Sequence, residues 1–251
     1  MIQALLAIHD AMIPVLTQGF VVLLRVGGLM LLLPGLGDRM IPMRIRLVIT
    51  FALTTAVTPS LPLDTPVDGT LILVETTIGL ALGAVLRFLA SALTMAGMMA
   101  AQLTSLAQLF GSVEPSSAIG NLLNLAGIAL LMASNLPLMV IDMIIRSYDV
   151  FPIGLGLQGD NLVAWGVSRA AQAFSLAFAL AAPFALAALI YNAAMGVINR
   201  AMPQLMVALV GAPAITGASL VLLLLSAPLI LSVWKTAMVA ALADPILGGL
   251  P

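Results

Sequence analysis

The chain has 251 residues, of which 62% are hydrophobic and only 8% are charged, and its mean hydropathy is +1.21. Because soluble domains carry about 25% charged residues, this composition excludes a soluble globular protein and indicates an integral membrane protein. The net charge of -1, without any basic run, gives no sign of nucleic-acid binding. The chain has no cysteine and a single histidine, His9, so disulfides, thiol catalysis and metal sites built on Cys or His are excluded.

Six apolar segments are predicted as helices, on the scale of the roughly 20 apolar residues that cross a bilayer core. In chain order they are Ala11 to Leu33, Leu47 to Leu61, Thr70 to Phe110, Leu122 to Ile145, Val167 to Ile198 and Val207 to Leu242. The last three contain the interior prolines Pro137, Pro183, Pro213 and Pro228. Proline kinks a helix, so we expect bent helices.

The third segment is much longer than a bilayer requires. About 40 residues of helix would reach roughly 60 Å, which is twice the bilayer core. This helix either bends back as a hairpin or projects well beyond the membrane. Gly79 and Gly83, four residues apart, are typical of helices that approach each other closely.

A polar break, Gln102 to Asn124, follows the third segment and reads QLTSLAQLFGSVEPSSAIGNLLN. Gly111 and Pro115 favour a turn, and Glu114 is the only charged residue between Phe88 and Ile141. Irregular backbone cannot lie bare in lipid, because its polar groups would have no partners. The break is therefore either a surface loop or irregular backbone that lines a polar cavity.

Few charged residues lie inside the apolar segments. Arg25 interrupts the first, at a cost of about 2.5–3.5 kcal/mol for a charge at a helix centre. It either lines a substrate or ion path, or has a structural partner in this chain or a neighbouring subunit, and we favour the partner. Asp142 and Arg146 are four residues apart, so we expect a solvated pair near a helix end.

No catalytic constellation is recognisable. The sequence contains no acid dyad at usable spacing, no Ser-His-Asp set, no Walker loop and no cluster of metal ligands. The GLGD at Gly35 resembles an intramembrane protease motif, but that motif needs a second membrane aspartate and only Asp142 is available. Met95, Met98 and Met99 share a helix face, which favours a lipid-facing or core stripe over a deformable seal.

Four stretches together resemble the FliR family of flagellar type III export proteins, whose injectisome counterpart is the SctT family. They are LLRVGGLMLLLPGLGDRMIPMRIRLVIT with the TPSLP that follows, the polar break, DVFPIG from Asp149, and MGVINRAMPQLMVALVGAP. The R-x-x-P-x-R-x-R hinge from Arg39 and the N-R-x-x-P-Q from Asn199 are the more specific signals. One departure is visible, because the family commonly has Asp-Pro where this chain has Glu114-Pro115.

The resemblance implies a fold and an assembly. The chain would be an all-α membrane protein of about six kinked helical segments, forming hairpins within a multi-subunit helical ring. Residues 1–251 would form one export-gate domain, with a P-like part at 1–160 and a Q-like part at 161–251. Its partners would be the P-type and Q-type export-gate subunits and also the B-type export switch protein, in the bacterial inner membrane at the flagellar basal body. No cofactor is implied.

The resemblance also implies a function and a set of residues. The chain would be a non-enzymatic subunit of the gate through which unfolded flagellar proteins are exported, and the flagellar system is favoured over the injectisome. The alternative from the residues alone is a polytopic small-solute transporter with Arg25 at its site. The implied pore plug consists of Phe110, Gly111, Ser112, Val113, Glu114, Pro115, Ser116, Ser117, Ala118, Ile119, Gly120 and Asn121. The candidates for subunit contacts or buried polar groups are Arg25, Arg44, Arg46, Asn199, Arg200 and Gln204.

Overall fold

The protein folds into α-helices throughout the part of the chain that the computed structural model describes, which is residues 2–38, 41–61, 68–103, 115–154, 159–201 and 207–244. Those ranges contain seven α-helices, one 3-10 turn and no strand. The helices are α1 (Ile2–Leu32), α2 (Met43–Val57), α3 (Gly69–Leu103), α4 (Pro115–Ala133), α5 (Leu136–Val150), α6 (Gly159–Ala201) and α7 (Val207–Ala243), with the 3-10 turn at Thr58–Ser60. The predicted all-α membrane fold is confirmed.

Local chemistry explains several of the helix ends. The carboxylate of Asp68 caps α3, accepting hydrogen bonds from the backbone N–H of Leu71 at 2.8 Å and from the Thr70 hydroxyl at 2.7 Å. These hydrogen bonds lower the pKa of Asp68 below its usual range. After α1, the chain turns at Gly35, whose φ of 83° lies in the left-handed region that glycine adopts without strain.

The fourth apolar segment forms two helices rather than one kinked helix. α4 ends at Ala133, and α5 begins at Leu136 after a sharp break in the chain. The bend lies at Asn135, which has a φ of 60°, and asparagine is one of the few side chains that tolerates this conformation. Pro137 then stands in the first turn of α5, where its missing N–H costs no hydrogen bond.

Four helical stretches in the described part of the chain are long and apolar enough to cross a membrane. They are Met12–Leu32, Gly69–Leu103, Val163–Ala201 and Gly217–Ala243. The bent pair of α4 and α5 would add a fifth crossing if it counts as one span. The 35 residues of α3 reach about 52 Å, which exceeds the roughly 30 Å bilayer core.

The chain divides into two compact units, each built from separate stretches of sequence. Unit 1 contains Met1–Phe88, Ser134–Arg169 and Val239–Pro251, and unit 2 contains Leu89–Ala133 and Ala170–Met238. Each unit has buried apolar side chains, such as Leu29 and Met143 in unit 1 and Phe184 in unit 2. The division at residue 160 into P-like and Q-like parts concerns family resemblance rather than packing, and it stays a prediction.

Inside unit 1, α1 and α3 pack backbone against backbone. A Cβ on Gly83 would stand 2.8 Å from the carbonyl oxygen of Leu29, and one on Gly79 would overlap the carbonyl of Arg25. A Cβ on Gly28 would stand 2.7 Å from the carbonyl oxygen of Thr76. The close contact predicted for Gly79 and Gly83 is therefore confirmed, and it brings Arg25 of α1 beside α3.

Candidate functional site: a buried arginine cluster and a glycine-packed hairpin

Arg25 makes a fully buried ion pair inside unit 1. Its Nε donates a hydrogen bond to Glu75 Oε2 at 2.8 Å, and its Nη2 donates to Glu75 Oε1 at 3.1 Å. Neither side chain exposes any surface. Two parallel N–H···O bonds are the strongest arrangement available to this pair of groups. The expected structural partner of Arg25 is thus a carboxylate of the same chain, 50 residues further on.

Four other groups complete the arginine cluster. Arg25 Nη1 donates to the Ser147 hydroxyl at 3.0 Å, and Nη2 donates to the carbonyl oxygen of Phe151 at 2.9 Å. The guanidinium carbon lies 3.6 Å from the centre of the Tyr148 ring, a cation–π contact. Glu75 Oε1 also accepts the backbone N–H of Gly154 at 3.3 Å. The cluster therefore ties α1, α3, α5 and the turn after α5 together.

The geometry of this cluster is that of a structural joint. The positive and negative charges cancel, and both charged side chains are occupied by groups of the chain itself. A site that binds and releases a solute needs polar groups that a ligand can reach. The burial of Arg25 therefore does not favour the small-solute transporter that would use this residue as its site.

The other charged pairs of unit 1 lie nearer the surface. Arg146 Nε donates to Asp142 Oδ2 at 2.9 Å with both side chains more than half exposed, which confirms the predicted solvated pair. Arg87 Nη1 contacts Asp38 Oδ1 at 2.5 Å, so this pair joins α3 to the turn after α1. Periodicity does not predict the Arg87–Asp38 pair, because the two residues are 49 positions apart.

The remaining candidates for subunit contacts have different surroundings. Arg44 is exposed at the start of α2, and Asn199 and Arg200 are exposed at the end of α6. Arg46 is half-buried and donates from Nη1 to the carbonyl oxygen of Gly37 at 3.2 Å. Gln204 lies outside the described residues. Their role in subunit contacts stays a prediction.

The implied plug lies partly inside the described chain. Phe110, Gly111, Ser112, Val113 and Glu114 fall outside it. Residues 115–121 form the first turns of α4, so the expectation of irregular backbone over this stretch is wrong. Proline at the first helical position needs no partner for a backbone N–H and has a φ that suits the helix, so Pro115 starts a helix here.

The two helices that flank residues 104–114 pack tightly against each other in unit 2. A Cβ on Gly120 of α4 would stand 2.7 Å from the carbonyl oxygen of Thr94 in α3, and a Cβ on Gly97 would overlap the backbone of Gly120. Further along, a Cβ on Gly127 would stand 2.5 Å from Leu93 Cδ1. Since the contacts move down α3 as they move up α4, the helices are antiparallel and form a hairpin with residues 104–114 between them.

A tryptophan fixes the same hairpin from α7. Trp234 is fully buried, and its indole N–H donates to the carbonyl oxygen of Leu89 at 2.7 Å. A Cβ on Gly127 would stand 2.8 Å from its ring. Sequence reasoning missed this residue, although it is one of only two tryptophans in the chain.

Met95, Met98 and Met99 lie on α3 near the end that precedes the polar break. All three are half-buried. A half-buried methionine face suits a flexible apolar contact, since the side chain is unbranched. The role of these residues as a seal stays a prediction.

A match to a known protein family identifies the kind of protein to which the chain belongs. Residues 16–241 match the bacterial export proteins, family 1. The chain belongs to this family. The match covers almost every helix described above, including both partners of the arginine cluster and both helices of the hairpin.

Several relatives carry the name flagellar biosynthetic protein FliR. The relative from Caulobacter vibrioides is 34% identical over 221 residues, covering 84% of this chain and 88% of the relative. The Escherichia coli relative is 30% identical, over 76% of this chain and 77% of its own length. The Aquifex aeolicus relative is also 30% identical, over 82% and 83%. The resemblance to the FliR family is therefore confirmed over most of the chain.

Proposed function

We propose that the chain is a non-enzymatic subunit of the flagellar protein export apparatus that helps to form and close its protein-conducting channel. Membership of the FliR family and the long apolar helices support a membrane component of flagellar export. The single observation that carries the closing role is the α3–α4 hairpin, whose two close-packed helices flank the segment 104–114 in the sequence.

The hairpin suits a plug for two physical reasons. Its helices touch backbone to backbone at Gly97 and Gly120, so α3 and α4 are packed closely on the two sides of the segment in the sequence. The segment itself, TSLAQLFGSVE, carries hydroxyl and amide side chains that lipid would not satisfy. A polar segment between two apolar helices is stable when it lines a wet cavity, and in a channel such a segment would obstruct the path.

The charged groups support the absence of catalysis. Asp38 pairs with Arg87 and also accepts the backbone N–H of Gly35, while Asp142 pairs with Arg146. The two aspartates of an intramembrane protease would share one site, but here a different arginine holds each of them. Substituting each aspartate by alanine should leave export intact if this interpretation is right.

The proposal includes partners and a location. The P-type and Q-type subunits would complete the ring in the inner membrane at the basal body, with the B-type switch protein beside it and unfolded flagellar proteins as cargo. Residues 1–160 and 161–251 would correspond to P-like and Q-like parts. Native mass spectrometry after purification in mild detergent should find the chain with those partners in a fixed ratio, whereas a stable and active monomer would contradict the proposal.

The plug is tested by a short deletion in the assembled complex. Removing Gly111–Glu114 spares α4 and its contact at Gly120, and it should make cells permeable to small solutes because the obstruction is shortened. Deleting residues 155–158, the connection between α5 and α6, is a control of the same length. Unchanged permeability in a Gly111–Glu114 deletion that still assembles would remove the plug role.

Cysteine labelling adds a direct measure of the path. The chain has no native cysteine, so Ser112→Cys introduces a single thiol into the polar break. This thiol should form a disulfide with a cysteine-bearing export substrate stalled during passage. Ser232→Cys, on an exposed position of α7, serves as the matched control and should not react.

A further inference from the structure

An apolar groove runs between α1 and α2 in unit 1. Its upper part has a volume of about 360 Å³ and is lined by Gly27 and Leu31 of α1 and by Leu47 of α2, among others. A lower part of about 480 Å³ shares Leu23 and Phe51 with it. The two parts therefore form one continuous track along the pair of helices.

The threonine hydroxyl groups that line the track all form hydrogen bonds within the helices, or the adjoining turn, to which they belong. Thr50 donates to the carbonyl oxygen of Arg46 at 2.7 Å, and Thr54 donates to that of Thr50 at 2.8 Å. Thr55, Thr58 and Thr76 likewise donate to carbonyl oxygens within their helices or the adjoining turn. The threonines consequently present methyl groups, and the wall offers an occupant almost only hydrocarbon.

One end of the track is cationic. Among the described residues, Arg46 is the only charged one that lines either part, and its Nε is buried without a hydrogen-bond partner there. Arg44 lies in the same first turn of α2, which contains no acidic residue and has no side-chain cap. Cations at the positive end of a helix dipole are unfavourable by themselves, whereas an anion there is stabilised by both arginines and by the dipole.

The length of the groove matches a lipid. Arg46 lines the upper part together with Leu31, one residue before the end of Met12–Leu32, which is long and apolar enough to cross a membrane. The end of a helix that crosses a bilayer lies at the level of the lipid headgroups. From Leu31 to Leu23 the groove follows α1 for about 12 Å. Half of a bilayer core is about 15 Å thick, so the upper part has the reach of an acyl chain within one leaflet.

We propose that this groove binds an anionic membrane phospholipid, with one acyl chain between α1 and α2 and the phosphate on Arg46. An amphiphile with a single anionic end fits a hydrocarbon track that carries its only charge at one end. A helix from another subunit would be about 10 Å wide, and it would need a carboxylate of its own to satisfy Arg46. The lipid site goes beyond the proposed export role and does not depend on the plug.

The test uses the complex assembled with its partner subunits and reconstituted in lipid nanodiscs. The probe is phosphatidylglycerol with a photoreactive acyl chain, and the labelled peptides are mapped by mass spectrometry. Labels should concentrate on α1 and α2 around Leu31 and Phe51. Phosphatidylcholine with the same photoreactive chain should label this region several-fold less, because its own cation competes for the phosphate.

Two variants separate the headgroup from the chain. Arg46→Gln should lower labelling roughly tenfold through the loss of charge-assisted hydrogen bonds. Gly27→Leu should abolish it, since a Cβ on Gly27 meets nothing within 4 Å and the added side chain would fill the groove without disturbing the fold. The controls are Arg146→Gln and Gly196→Leu, which change an exposed arginine and an open glycine elsewhere.

Three results would overturn the proposal. The first is that neither Arg46→Gln nor Gly27→Leu changes the labelling. The second is that Gly27→Leu abolishes the labelling while Arg46→Gln leaves it unchanged, because Arg46 would then make no contact with the headgroup. The third comes from a photoreactive amino acid at Leu31. An adduct with lipid supports the site, whereas an adduct with a partner subunit would make the groove a protein interface.

Discussion

Glu75→Gln isolates the charge of the buried arginine cluster. Glutamine keeps the shape of glutamate and one carbonyl oxygen, so the N–H of Gly154 and one N–H of Arg25 can still be accepted. What disappears is the negative charge beside a guanidinium with no exposed surface. Removing one partner of a buried ion pair costs about 3–5 kcal/mol, because the other charge remains buried and uncompensated.

Asp142→Asn provides the matched control. It is also a carboxylate-to-amide change beside an arginine, but the pair is exposed and spaced i,i+4 on one helix. Such pairs contribute about 0.3–0.5 kcal/mol. The Glu75 variant should therefore lose roughly ten times more unfolding free energy than the Asp142 variant.

The assay is unfolding by SDS in mild detergent micelles, followed by the fluorescence of the two tryptophans. A double variant, Arg25→Gln with Glu75→Gln, has no charge left in the arginine cluster. Its loss should be smaller than the sum of the two single losses, with a coupling free energy of about 1–3 kcal/mol. If Glu75→Gln costs no more than Asp142→Asn, or if the single losses simply add, water reaches the cluster and the ion pair is not the joint described above.

Two further predictions concern the hairpin of unit 2. Gly120→Ala would place a Cβ 2.7 Å from the carbonyl oxygen of Thr94. It should cost about 1–3 kcal/mol of unfolding free energy and reduce assembly. The control Gly166→Ala adds its Cβ in open space and should not destabilise the protein. Trp234→Phe loses the indole hydrogen bond and leaves a small cavity, at a cost of about 1–3 kcal/mol in the same assay. Trp165→Phe is the control, because the N–H that it removes has no partner among the described residues. An equal loss of unfolding free energy in both tryptophan variants would contradict the role of the hydrogen bond.

Short-range spacing predicts the features that depend on one helix. The four-residue spacing of Gly79 and Gly83 predicts a close helix contact, and the same spacing predicts the pair of Asp142 and Arg146. Both features are present, because the 3.6-residue period of the helix fixes which side chains share a face. Hydrophobic length likewise predicts the long apolar helices.

Long-range pairing is not encoded in periodicity. A charged residue at position 25, inside an apolar segment, predicts a partner of opposite charge. Its spacing to Glu75 does not indicate which carboxylate is that partner. The pairing of Arg25 with Glu75 is determined by the glycine contacts that bring α1 and α3 together. The break at Asn135 is similarly local and weakly marked, since its only signals are one asparagine and a proline two residues later.

The ion pair of Arg25 also constrains the order in which the protein can enter the membrane. Arg25 leaves the ribosome 50 residues ahead of Glu75, a lag of about 3–10 s at usual rates of synthesis. During that interval α1 carries an uncompensated charge, which costs about 2.5–3.5 kcal/mol at the centre of a helix in lipid. We therefore expect the first helix to stay at the insertion machinery until the third helix arrives, so that the two enter the bilayer as one neutral pair.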